Sequence, residues 1–141
     1  MTIEFSGRCA CGAIRYECSA KPVGMLNCHC RDCQRAAGGA FGSVVLVPVE
    51  AVTILSGAAK YHTVKADSGN LISRGFCPEC GSPMFAKLAA MANLIAIRPS
   101  SLDDPSWFKP AIDIWVDSAQ TWDVMNPDLP KFPKGPPAPP A

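Results

Sequence analysis

The chain has 141 residues, 48% of them apolar, a net charge of +1 and eight cysteines. That length suits one domain with a modest core. The near-neutral charge without a basic run argues against nucleic acid as a partner, and no apolar run approaches membrane-spanning length.

In chain order, Thr2 to Gly7 reads as a first strand, and Arg8-Cys9-Ala10-Cys11-Gly12 as a turn. Ala13 to Cys18 alternates, with Ile14, Tyr16 and Cys18 on one face and Arg15 and Glu17 on the other, the pattern of a half-buried strand. Val23 to Cys28 is a short strand leading into Cys28-His29-Cys30-Arg31-Asp32-Cys33. Asp32 to Ala37 is expected to make one or two helical turns, stopped by Gly38-Gly39. Strands are then predicted over Phe41 to Val47, Val52 to Leu55, Lys60 to Val64 and Leu71 to Phe76. The last of these runs into Cys77-Pro78-Glu79-Cys80-Gly81. Met84 to Leu88, Leu94 to Arg98 and a long final strand over Ile112 to Val116 follow. No long 3.6-residue periodicity is present, so the class is mainly β with short helical turns. Leu129 to Ala141 holds six prolines in thirteen residues and cannot build a helix or a central strand. The division expected is a cysteine-bearing domain over 1–127 and a proline-rich tail over 128–141. The apolar Leu129 and Phe132 are expected to dock that tail on the domain's own sheet or on a second copy, a homodimer being the expectation.

Met1 to Phe5 carries no basic segment followed by an apolar one, which points to a cytoplasmic protein. Clustered thiols in that setting read as metal ligands rather than disulfides. Cys9, Cys11, Cys77 and Cys80 can close a tetrahedral zinc site. Joining pairs roughly 65 residues apart costs chain entropy that grows only logarithmically with loop length. Cys28, Cys30 and Cys33 supply three ligands and leave a position open for water or substrate. Cys18, His29 and His62 are the candidates for a fourth. Cys18 continues an apolar face and His29 is expected to point away from the metal. Three thiolates around zinc carry a net −1, a poor setting for activating water and a better one for delivering a bound thiolate to an electrophilic carbon.

The motifs Gly7-Arg8-Cys9-Ala10-Cys11-Gly12, Cys28-His29-Cys30-Arg31-Asp32-Cys33 and Arg74-Gly75-Phe76-Cys77-Pro78-Glu79-Cys80-Gly81-Ser82 resemble those of the glutathione-dependent formaldehyde-activating enzymes, also called the centromere protein V/Gfa family. Trp122 and Asp128-Leu129-Pro130-Lys131-Phe132 extend the resemblance over nearly the whole chain. It implies an Mss4-like, β-tent fold of small antiparallel sheets stapled by zinc. It implies a structural zinc on Cys9, Cys11, Cys77 and Cys80, and a catalytic zinc on Cys28, Cys30 and Cys33. The reaction implied joins glutathione, as cosubstrate, to formaldehyde, the chemistry of a carbon–sulfur lyase run in the direction of synthesis. Arg31 and Arg35 share a helical face and could bind a glutathione carboxylate, or form a solvated face paired with Asp32. Tyr61 and His62 are candidate proton carriers. Two other classes compete: a non-catalytic interaction module on the same fold, and a redox sensor built on the cysteine triplet.

Overall fold

The computed structural model describes residues 2–136. Ten strands and one helix follow in the order β1 (Phe5–Arg8), β2 (Arg15–Cys18), β3 (Gly24–Cys28), α1 (Arg31–Ala37), β4 (Gly42–Pro48), β5 (Val52–Ser56), β6 (Lys60–Lys65), β7 (Leu71–Phe76), β8 (Pro83–Leu88), β9 (Leu94–Ile97) and β10 (Ile112–Ile114). They form a three-stranded sheet, β1-β2-β5, and a seven-stranded sheet, β10-β3-β4-β9-β8-β7-β6. All neighbours are antiparallel except β10, which lies parallel to β3.

The two sheets share one core. The alternating face of β2 and its approach supply Ile14, Tyr16 and Cys18, each at most 1% exposed. Val45 and Val47 of β4 pair in register with Ile97 and Ile95 of β9, and Met84 and Phe85 of β8 complete the cluster. Tyr16 meets Phe85 edge-on, with ring centroids 5.3 Å apart. Period-two burial on β2 therefore fixes which face of the small sheet turns toward the large one.

The mainly β architecture with one short helix matches the sequence reading, with two differences. The large sheet is wider than the small antiparallel sheets expected, and it closes with a parallel pair. The final strand is also shorter than the predicted Ile112 to Val116. Trp115 adopts φ 59°, a left-handed conformation that an aromatic residue holds only against surrounding packing and that ends the strand. Cover for β10 comes from the segment after Leu129. Asp113 N–H donates to Pro130 O at 2.9 Å, Phe132 N–H to Asp113 O at 2.9 Å, and Trp115 N–H to Lys134 O at 2.8 Å. Phe132 packs on Cys28, Cys33 and Ile114. The tail thus docks on the chain's own sheet; its residues 137–141 lie outside the described residues.

Candidate metal centres and the pocket beside the triad

The first centre is built from two turns. Cys9 ends the β1 side of a hairpin, Gly12 N–H donates to Cys9 O at 3.1 Å, and Gly12 takes φ 78°. The turn after β7 repeats this form: Gly81 N–H donates to Cys77 O at 2.8 Å, and Gly81 also has φ 78°. Only glycine holds that conformation without strain, and it lets both cysteines of each turn face one point. The turns lock together through Ala10 N–H to Ser82 Oγ at 3.0 Å. Cys9 Sγ lies 3.6 Å from Cys11 Sγ, and Cys11 Sγ lies 3.8 Å from Cys77 Sγ. All four sulfurs, with that of Cys80, fall within 4.8 Å of one another. A zinc–sulfur bond of about 2.3 Å places tetrahedral sulfurs about 3.8 Å apart, so the donor set fits a closed zinc site. The Ser82 hydroxyl and amide hold the Cys80 thiol down at about 5, toward the thiolate a metal requires.

The second centre forms where β3 meets α1. Cys30 has extended geometry and caps the helix, its Sγ accepting the Cys33 N–H at 3.3 Å. The sulfurs of Cys28, Cys30 and Cys33 lie within 4.8 Å of one another, three vertices of a tetrahedron, and no fourth protein donor joins them among the described residues. The chemistry of this set fits a zinc ion with one exchangeable position. Hydrogen bonds from Cys28 and Cys30 hold the Cys33 thiol down at about 2, against the opposing effect of burial, with Arg74 and Arg98 lowering it further. Bonds with Cys30 and Cys33, together with burial, push Cys28 up.

His29 points away from the sulfurs, as expected. Its Nδ1 lies 2.6 Å from Asp123 Oδ2 and its Nε2 2.8 Å from Asp113 Oδ1. Each imidazole nitrogen is thus within hydrogen-bond distance of a buried carboxylate. Lys131 Nζ reaches Asp113 Oδ2 at 3.2 Å. Buried Gln34 donates to His29 O at 2.7 Å and to Ser118 O at 3.0 Å, tying α1 to the knuckle and to the later chain.

The other candidates sit apart. Cys18 is fully buried in the core, its thiol donating to Ala20 O at 3.4 Å. His62 is exposed on β6, outside both sulfur clusters. Tyr61 is half-buried beneath Lys87, whose Nζ lies 4.4 Å from the ring centroid, and burial raises its pKa. Arg31 and Arg35 are both exposed on α1; Arg31 donates to Gln34 Oε1, and Arg35 lies 3.9 Å from Asp32. The arginines that reach the triad are Arg74, whose Nη2 lies 3.6 Å from Cys33 Sγ, and Arg98, only 8% exposed. The sequence reading passed over both. The available signal was a charge placed directly after the apolar run Leu94 to Ile97.

Two cavities adjoin. One of about 460 Å³ lies over Cys9, between Arg8, Ser82 and Asp103. It borders a centre whose four vertices are already filled. The other, about 240 Å³, is lined by Ala37, Phe41, Ser43, Pro83 and Arg98. Phe41 rests on His29, with centroids 5.2 Å apart.

The sequence profile of the family described as "Glutathione-dependent formaldehyde-activating enzyme" matches residues 4–118. A Colletotrichum graminicola protein provisionally named as such an enzyme is 29% identical over 127 residues, covering 82% of this chain and 63% of its own. A Penicillium rubens protein of the same provisional name is 28% identical over 116 residues, covering 79% of this chain and 60% of its own. The chain therefore spans less than two thirds of the length of these relatives. A crystal structure of a Rhodobacter sphaeroides protein superposes with TM-score 0.58 and 14% identity, over 90% of this chain and 98% of that one, a likeness of fold.

Proposed function

The chain belongs to the glutathione-dependent formaldehyde-activating enzyme family, and from that premise we propose that it joins a thiol to a small aldehyde, with glutathione and formaldehyde as the pair. The observation that carries this reading is the triad: three thiol donors on one point and no fourth among the described residues. A zinc ion held by Cys28, Cys30 and Cys33 would supply one exchangeable position at which a substrate thiol is kept as its thiolate near neutral pH. Zinc on Cys9, Cys11, Cys77 and Cys80 would staple the first hairpin to β7 and β8.

The residues around the triad hold it still. Cys30 caps α1 and so fixes the angle between β3 and the helix. His29, clamped by Asp113 and Asp123, orients the peptide between two ligands. Phe41 gives the cavity an apolar wall suited to a small aldehyde. The thiolate sulfur attacks the carbonyl carbon, the carbonyl π pair moves to oxygen, and that oxygen takes a proton to give the S-hydroxymethyl thioether. The reverse reaction is a carbon–sulfur lyase step.

The test is Cys30→Ser. Circular dichroism and melting should stay near wild type, zinc content should fall by about one ion per chain, and glutathione-dependent consumption of formaldehyde should be lost. Global unfolding would make the triad a structural staple. Full activity in a stable, zinc-depleted variant would place the chemistry elsewhere. A reversible disulfide among the three cysteines without turnover in wild type would assign the triad to redox sensing.

A further inference from the structure

Two guanidiniums converge on the triad, and among the described residues neither pairs with a carboxylate. Arg98 is held by its backbone: its N–H donates to Met84 O at 2.9 Å, and its carbonyl accepts the Ser101 hydroxyl at 2.7 Å. Ser101 is in turn bonded to Tyr16 in the core at 2.6 Å. The Arg98 side chain passes over β4, donating to Ser43 O at 3.3 Å and reaching Cys33. It has room to do so because residue 42 is glycine; a Cβ there would lie 2.5 Å from Arg98 Nη1. Arg74 comes from β7, its Nη2 on Cys33 Sγ and its Nε buried with no hydrogen-bond partner.

A guanidinium taken from water is costly without negative charge beside it, so a site that gathers buried Arg98 and half-buried Arg74 at Cys33 is arranged for negative charge. A divalent ion on three thiolates carries −1. The two guanidiniums bring the centre to +1, one negative charge short of neutrality. The cavity beside Phe41 has Arg98 on its wall.

We propose that Arg98, on the wall of this cavity, and Arg74, on Cys33, form a subsite for one negative charge, and that the subsite makes the triad centre take an anion, the substrate thiolate, in preference to water or a neutral donor. The identity of the anion rests on the thiol chemistry proposed above; the subsite itself rests on the two guanidiniums and the cavity. The same charge persists through the reaction. The thiol releases its proton to solvent on entry, and its sulfur then bonds to the aldehyde carbon as the C=O π pair moves to oxygen. The negative charge moves from sulfur to that oxygen within reach of the same donors, until a proton from solvent neutralises it. The donors need no reorganisation between the two states.

The test uses cobalt-loaded protein and the visible bands of the open centre, with the closed four-cysteine centre as a constant background. Thiocyanate serves as the monoanion and imidazole as the neutral donor. Wild type should bind thiocyanate. Arg98→Gln should weaken thiocyanate about ten- to a hundredfold, the range for a lost hydrogen bond to a charged group, while imidazole changes less than about threefold. Arg98→Lys should recover most of the loss. Arg74→Gln, at a half-buried position, should act in the same direction and serves if Arg98→Gln does not fold. Parallel losses for both ligands, no loss for either, or no thiocyanate binding by wild type would overturn the subsite. Turnover of glutathione with formaldehyde is read separately. Its absence with anion selectivity intact would remove the assigned reaction and leave the subsite standing.

Discussion

Replacing His29 by alanine tests whether the histidine inside the triad is a clamp. The side chains of His29, Asp113 and Asp123 are 1%, 3% and 1% exposed. Alanine would leave two carboxylates buried. Asp113 keeps Lys131 at 3.2 Å, but Asp123 loses the partner that sits 2.6 Å from its oxygen. Breaking a buried pair by removing one member costs about 3–5 kcal/mol. In a chain of this size 1 kcal/mol moves the melting point by about 3–4 °C. The expected drop for His29→Ala is therefore roughly 10–20 °C, read by circular dichroism at pH 7. The cycle with Asp123→Ala sharpens the test. Asp123 is costly only without its partner, so the double variant should fall short of additivity by about 1–3 kcal/mol. A drop below about 3 °C, or an additive cycle, would refute the clamp.

Cys77→Ser should give a protein that loses zinc and unfolds at ordinary temperature, because Cys77 is fully buried at the join of the two turns; unchanged zinc content and melting would contradict this. Phe132→Ala should cost about 2 kcal/mol from the apolar surface that Phe132 covers over Cys28 and Ile114, read by urea unfolding, and an unchanged midpoint would make the tail a solvated extension. Burial pushes the Tyr16 hydroxyl up to about 12, with the Ser101 bond opposing. An acid whose folded pKa lies above its unfolded value of about 10 contributes stability that is full below pH 10 and is lost as the pH rises through 12. Tyr16→Phe should therefore lose about 1 kcal/mol at neutral pH and show a flatter decline between pH 10 and 12, measured by urea unfolding at pH 9 and 11.

The cysteine grouping was legible because ligand pairs at short spacing, each followed by a glycine that supplies positive φ, carry their own geometry. Ile14, Tyr16 and Cys18 were legible as a buried face because strand alternation is local. Arg74 and Arg98 were not. Arg74 stands on β7 and Arg98 directly after β9, with β8 between those strands in the sheet, and they meet Cys33 only after α1 folds against β4. No local pattern announces that convergence. The parallel pairing of β10 with β3 and the turn at Trp115 were hidden for the same reason: both depend on the segment Pro130 to Lys134 returning along β10. His29 was placed correctly as a non-ligand, but its two carboxylates lie more than eighty residues away in the chain.

The most direct measurement of the central claim is zinc-edge X-ray absorption on the two-zinc protein, with and without glutathione. Four thiolates at one centre and three at the other average to about 3.5 sulfurs per zinc at about 2.3 Å. If the triad is an open centre that takes a substrate thiolate, glutathione should raise the average to about 4 and displace a light oxygen or nitrogen scatterer. An average of 3.5 that glutathione leaves unchanged, or a triad that cannot be loaded with zinc under reducing conditions, would contradict it.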